Sequence, residues 1–443
     1  MAAPRIDQTE FAGRRQRLME ALPINSAVIV PSANLQSRNS DVEWPFRQDS
    51  DFYYLSGFDE PDALIVLLKN GSQVRYHLFC QPRDPEMEIW NGYRSGPSGA
   101  RTHYHADQAW SSEEIDERLP QLLDGIETLF FCMGGPYDTE IRIDAWLKTM
   151  RRKRRQGVRA PYRQEDLSPR LHEMRLFKSP QEIAVMSHAA EVSAQAHIKA
   201  MKLCRPGLFE YQLEAEIIHH FMQNGCRLPA YSSIVGGGEN ACVLHYVSNR
   251  HELKQGDLVL IDAGCEWDYY AGDITRTFPV SGKFSDDQKA LYELVLKAQL
   301  ACLDAIRPGL LWEESHDLSV RIITEGLVAL GILEGNVGEL IEQGAYKAFY
   351  MHRLGHWLGM DVHDVGDYKV ANEWRPLEAG MVMTVEPGIY IAADNQNVEP
   401  RWRGIGIRIE DDVLITEDGN KVLTASVPKT IAEIEALMAE GAQ

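Results

Sequence analysis

The chain has 443 residues, 44% of them hydrophobic and 25% charged, a globular composition that excludes a disordered or fibrous protein. Its formal net charge of −20 argues against nucleic acid or an anionic membrane as partner. The length suits two or three domains, and no apolar run approaches the roughly 18 residues of a membrane-spanning helix.

The opening MAAPRIDQTEFAGRRQRLMEAL has basic residues but no apolar core, and Asp7, Glu10 and Glu20 argue against a targeting peptide; it reads as a first helix. Strand-like runs follow at SAVIVPS, DALIVLL and TLFFCMG, with helical stretches between them, which predicts an α/β unit ending near residue 175. The basic cluster from Lys148 through Arg151, Arg152, Lys153, Arg154 and Arg155 to Arg159 reads as a solvated helix end. Pro161 and Pro169 mark a joint, after which Ser179-Pro180 with Glu182 starts a long amphipathic helix closed by Pro206-Gly207. A second helix runs from Phe209 to about Asn224. Strands come next, then helices from Ser285 to about Ala305 and from Leu311 to about Leu330, then strands again. The expected division is 1–175 and 176–443, the C-terminal region being helix, helix, sheet, repeated once. Seven cysteines without a CxxC pair indicate free thiols in a reducing compartment, by default the cytoplasm.

Two segments of the C-terminal region share one register. Leu253–Gly264 reads LKQGDLVLIDAG and Leu377–Gly388 reads LEAGMVMTVEPG, so Asp262 and Glu386 each close an apolar run. An acid in that position is costly to bury unless something positive meets it. Each copy is followed by another acid, Asp273 in GDITRTF and Glu410 in GIGIRIEDD. A hairpin between Asp262 and Asp273 would bring both to one spot. Four carboxylates cannot share a dry site unpaired, so the pattern predicts a metal site. Histidines point the same way: MHRLGHWLGMDVHDVG holds His352, His356 and His363, close in sequence to Glu386. The HxxxH spacing is not a zincin helix, because Gly355 and Gly359 weaken it and no glutamate follows His352. At least one of the three is expected to be a ligand. His245 follows the glycine run of SSIVGGGENACVLHY, which lacks the Lys-Ser/Thr of a phosphate loop and instead suggests close backbone approach around a cleft. Arg408 stands two residues before Glu410, a spacing that would put both on one strand face and let the guanidinium orient that carboxylate.

Together DAG with its following Asp, HxxGHWLGMDVHD, VEPG and RIEDD resemble the pita-bread metallopeptidases, which include aminopeptidase P, prolidase and methionine aminopeptidase. The resemblance covers roughly 180–443, and FRQDSDFYYLSGFDEPDALIVLL, from Phe46 to Leu68, is similar to the N-terminal domain of bacterial aminopeptidase P. It implies an α/β N-terminal domain and an α+β pita-bread C-terminal domain with an internal pseudo-twofold repeat. It also implies Asp262, Asp273, His356, Glu386 and Glu410 as ligands of two divalent cations. Asp262 and Asp273 would serve one cation and His356 and Glu386 the other, with Asp273 and Glu410 bridging. An oxygen-rich set with one imidazole suits manganese. Glu386 would be the general base, His245 and His363 would flank the substrate, and His352 would stand in its pocket. The substrate's free amine would sit near the cations or at an acid such as Asp41. Trp90 resembles a tryptophan that reaches a neighbouring subunit's site in tetrameric members, so a homo-oligomer, dimer or tetramer, is expected. The implied reaction frees the N-terminal residue of peptides with proline second. Prolidase-type dipeptidase activity and a non-catalytic peptide-binding protein are the alternatives, the latter disfavoured by the complete ligand set.

Overall fold

The computed structural model describes residues 3–135 and 138–441. They form two compact units: Ile6–Arg175 is one, and the other runs from Leu176 onward and takes in the residues before Ile6. Among the described residues no helix is long and apolar enough to cross a membrane.

In the first unit the helix Gln8–Glu20 starts where Asp7 Oδ1 accepts from the Thr9 and Glu10 amides. It buries Phe11, Leu18 and Met19, and its Arg14 and Arg15 are buried as well, donating to the Tyr54 and Leu55 carbonyls at the end of the helix Ser50–Ser56. Cations meeting unpaired carbonyls at a helix C-terminus explain why two arginines tolerate that position. A six-stranded mixed sheet has the order Gln108–Ser111, Gln73–Cys80, Leu64–Asn70, Ser26–Pro31, Thr128–Phe131, Arg163–Asp166. Ser26–Pro31 runs antiparallel to Leu64–Asn70 with Val28 opposite Leu67, and parallel to Thr128–Phe131. Ile29, Val66, Phe79, Leu119, Leu129 and Trp146 join its core. The basic cluster ends the helix Thr139–Arg152 and the turn beyond it, in solvent. Trp90, on the short helix Pro85–Asn91, is 82% exposed, and Asp41 lies in the exposed turn between Ser37–Asn39 and Val42–Glu43.

The second unit repeats one plan. The helix Pro180–Leu203 opens with a reciprocal Ser179–Glu182 capping box and is followed by Glu210–Gln223; Asp286–Ala305 opens with Ser285–Gln288 and is followed by Trp312–Ala329. After the first pair comes the antiparallel sheet Thr275–Pro279, Leu258–Asp262, Ile234–Gly237; after the second comes Val382–Val385, Asp411–Ile415, Asn420–Val422. Asp262 stands opposite Thr275, and Val385 opposite Asp411, so the two hairpins present their acids at equivalent strand ends. A small hairpin interrupts each copy: Glu266–Trp267 with Tyr270–Ala271 in the first, Gly388–Ile391 with Ile405–Arg408 in the second. GIGIRIEDD is therefore not one strand. It splits between Ile405–Arg408 and Asp411–Ile415, which pair with different partners, and Glu410 sits at the break. Trp312, Trp357, Met383, Val385 and Val413 pack the core of the second half. The residues before Ile6 join this unit through Trp267, whose indole Nε1 donates to the Pro4 carbonyl at 2.7 Å and whose ring lies 5.1 Å from the Arg5 guanidinium.

Candidate metal centre

The strand Leu258–Asp262 carries an apolar run into the core and ends on Asp262, which is 9% exposed. Asp273 reaches the same place from the far side of the small hairpin. The Tyr231 hydroxyl lies 2.5 Å from Asp262 Oδ1 and 2.6 Å from Asp273 Oδ1. A phenol has one proton for those two contacts, so the three oxygens form a cradle short of positive charge. The Asp273 amide donates to Asp412 Oδ2 at 3.1 Å, and Thr275 Oγ1 donates to Glu410 Oε2 at 2.6 Å.

His356 lies in a bent segment, not a helix. Its Nδ1 is 2.9 Å from the Trp357 carbonyl, which turns Nε2 toward Asp273 Oδ2 at 3.4 Å and Glu386 Oε1 at 3.6 Å. A histidine held through one nitrogen so that the other faces carboxylates is the ordinary arrangement of a metal ligand. The backbone comes close enough only because residue 355 is glycine: a Cβ there would stand 2.0 Å from the Thr384 carbonyl oxygen. Ligand atoms of Asp273, His356 and Glu410 all lie within 4.8 Å of one another.

Arg408 is a buried cation of the site. It donates from Nη2 to Asp262 Oδ2 at 2.6 Å, from Nη1 to Tyr390 Oη at 2.9 Å and from Nε to Thr275 Oγ1 at 3.1 Å. Its hydrogen bond goes to Asp262, not to Glu410, because Arg408 ends one strand while Glu410 lies in the break before the next. Tyr390 in turn reaches His352 Nε2 at 2.8 Å, while His352 Nδ1 bonds the Arg353 carbonyl at 2.7 Å. Burial, reinforced by Arg408, pushes His352 down to about 3, so it is a neutral ring in a fixed tautomer.

Arg408 alone does not balance the acids. Burial pushes the Glu386 carboxyl up to about 7, with Asp273 and Asp262 adding to the rise and His356 and Arg408 opposing it. Burial and the neighbouring acids hold Glu410 well above the carboxylate range, and burial raises Asp273 too. His356 goes up to about 9, against its burial, through its bond to Asp273 and the charge of Glu386. Carboxylates forced upward side by side, with oxygen and imidazole donors converging, are a donor set that divalent cations fit.

The centre opens on a cavity of about 710 Å³, lined by Tyr231, Leu244, His245, Val247, Trp312, His352, Arg353, His363, Tyr368 and Trp374 together with the acids. The His363 ring lies 4.2 Å from that of His356. His245 and His363 are both exposed to the cavity. Every ligand expected from the sequence, together with His245, His352, His363 and Arg408, belongs to this unit and lines the cavity. Trp90 and Asp41 belong to the first unit.

Three residues at the centre, half-buried Tyr231 and buried Arg276 and Asp412, escape a reading of the sequence. Tyr231 stands in LPAYSSIVGGG, where nothing in the pattern marks it. Arg276 pins the Glu410 carbonyl at 2.5 Å and pairs with Asp411 Oδ1 at 2.7 Å, with no local signal either. Asp412 does carry one: a third consecutive acid in an apolar strand asks for a partner, which is the Asp273 amide.

The sequence model of metallopeptidase family M24 matches residues 184–417, and that of the aminopeptidase P N-terminal domain matches 11–130. The chain belongs to metallopeptidase family M24. It is 50% identical over 434 residues to the Xaa-Pro aminopeptidase of Escherichia coli (strain K12), covering 98% of each chain. A solved aminopeptidase from Pseudomonas aeruginosa is 56% identical, with 99% of both chains covered and a TM-score of 0.97. A zinc-substituted E. coli aminopeptidase P in complex with product superposes over 99% of each chain at 49% identity and the same TM-score. The chain is accordingly a hydrolase with the two-domain build of the aminopeptidase P enzymes: an N-terminal domain of that type and a C-terminal pita-bread domain in which Asp273, His356 and Glu410 are grouped so that they could hold a metal ion.

Proposed function

We propose that the chain is a two-metal Xaa-Pro aminopeptidase, releasing the N-terminal residue from peptides whose second residue is proline. The observation that carries this reading is the convergence of Asp262, Asp273, His356, Glu386 and Glu410 at the floor of one cavity, in a chain half identical to an Xaa-Pro aminopeptidase. Those five residues would hold two divalent cations, and their four carboxylates match the charge. Manganese suits the oxygen-rich set, with zinc or cobalt as substitutes. Bound there, such cations acidify water and polarise a peptide carbonyl.

The chain's own groups do the rest. Glu386 is the general base: Thr384 Oγ1 donates to its Oε1 at 3.2 Å, which aims the carboxylate, and a carboxylate placed there accepts a proton and returns it. The proton goes to the proline nitrogen, a tertiary amide that must be protonated to leave. His245 and His363 face the cavity and donate to the oxygen on which charge develops and to the backbone on the proline side. Arg408 and Tyr390 fix Asp262 and His352, and the aromatic wall of Trp312, Tyr368 and Trp374 suits a ring without an N–H. Seven cysteines, all free, support a reducing cytoplasmic setting, and the exposed Trp90 supports assembly into a dimer or tetramer.

A matched peptide panel tests the substrate class. Xaa-Pro-Xaa tripeptides should be cleaved at least as efficiently as Xaa-Pro dipeptides, and Xaa-Ala-Xaa far more slowly. Strict dipeptide preference would move the activity to prolidase, and indifference to proline would discard both.

A further inference from the structure

His245 faces the cavity from an exposed position, and its ring makes no hydrogen bond to another described residue. Its placement must come from the backbone that carries it. That backbone, from Gly237 to His251, is gathered onto one carboxylate outside the metal centre. Glu210 is the first residue of the helix Glu210–Gln223 and is fully buried. Its Oε1 accepts from the Gly237 amide and Asn240 Nδ2, both at 2.8 Å. Its Oε2 accepts from the Tyr246 hydroxyl at 2.8 Å and the His251 amide at 2.9 Å. The Glu210 amide donates back to the His251 carbonyl at 3.0 Å. An ionised carboxylate offers about four lone-pair positions, and here four donors use them. A second clamp closes the same loop: buried Asn249, at φ +49°, accepts from the Val235 amide and donates to the Ser233 carbonyl. Leu244, His245 and Val247, which line the cavity, lie between these anchors.

We propose that Glu210 is a positioning residue for catalysis, acting through His245 by holding the loop that presents it; this rests on the reading of His245 as a substrate-contacting group. Glu210→Gln keeps the shape of the side chain but replaces one acceptor oxygen by an NH2 donor. Two of the four donors then face a donor, and the loop must move to relieve them. A displacement of about 1 Å at a catalytic group can cost on the order of 10² in rate.

The experiment is a double-mutant cycle with E210Q and H245A, read as kcat and KM on an Xaa-Pro-Xaa tripeptide, with metal content measured on every variant. E210Q is expected to lower kcat roughly 10- to 100-fold at full metal content. In the H245A background the same change should cost less than about 2-fold, since the residue it positions is gone. Wild-type kinetics in E210Q, loss of metal, or effects that multiply would overturn the proposal. Wild-type turnover in H245A would instead overturn the His245 reading, and the proposal with it. Should E210Q fail to fold, Tyr246→Phe removes one donor only; its loss of a few-fold in kcat must vanish in the H245A background, and persistence there would refute the role.

Discussion

Replacing Arg408 by methionine removes the buried positive charge bonded to Asp262 while keeping most of its volume. Three side-chain hydrogen bonds go with it, to Asp262, Tyr390 and Thr275, and Asp262 Oδ2 loses its partner at 2.6 Å. Breaking a buried pair by removing one partner costs about 3–5 kcal/mol. At about 2–4 °C per kcal/mol for a unit of this size, the chelated protein should melt roughly 6–20 °C lower. In the manganese-loaded protein the cations supply positive charge to the same carboxylates, so the loss should shrink markedly. Arg408→Lys keeps the charge, but an ammonium cannot serve three acceptors arranged for a guanidinium, so it should fall between. Calorimetric melting of parent and both variants, with chelator and with manganese, reads this directly. An unchanged melting temperature in chelator, or equal losses in both conditions, would refute the electrostatic account of the site.

Two further perturbations probe other links. Burial would raise the Asp51 carboxyl, but Arg175 at 2.7 Å and His172 at 3.1 Å hold it well below the usual carboxylate range. Its folded pKa thus lies under the unfolded value of about 3.9, so its stabilisation is complete above about pH 4 and is lost as pH falls through the folded value. Urea unfolding should show Asp51→Asn less stable by about 3–5 kcal/mol at pH 7, with the gap closing below pH 4; a gap independent of pH would exclude the pairing. Gly355→Ala drives a Cβ into the Thr384 carbonyl at 2.0 Å, and Thr384 exchanges hydrogen bonds with His356. Metal affinity should fall by about 10- to 100-fold, as for other groups that orient a ligand. Titration with full affinity would mean that the close approach does not set the ligand.

Much of this architecture is legible in the chain because its strongest signals are local. Ser179 with Glu182 announces a helix start, and a capping box lies there. The matched runs ending on Asp262 and Glu386 predict paired strands with acids at equivalent ends, since a strand alternates faces and an acid cannot continue an apolar run into a core. Glycines 355 and 359 argue against a helical HxxxH, and the segment is bent. What escapes is what depends on distant pairing. Tyr231 meets Asp262 and Asp273 only once the sheet forms, and Arg276 meets Asp411 across the two halves. The spacing of Arg408 points to the wrong carboxylate for a similar reason. It suggests one strand through Glu410, whereas hydrogen bonding to two different partner strands breaks it there and sends the guanidinium to Asp262.

The central claim is that hydrolysis depends on two cations held by these five side chains. Its most direct test is the rate of Xaa-Pro-Xaa cleavage by exhaustively chelated protein during titration with manganese. Cleavage should be absent at first and should return to its full rate as two equivalents are taken up. Full turnover in protein shown to be free of metal would contradict the account.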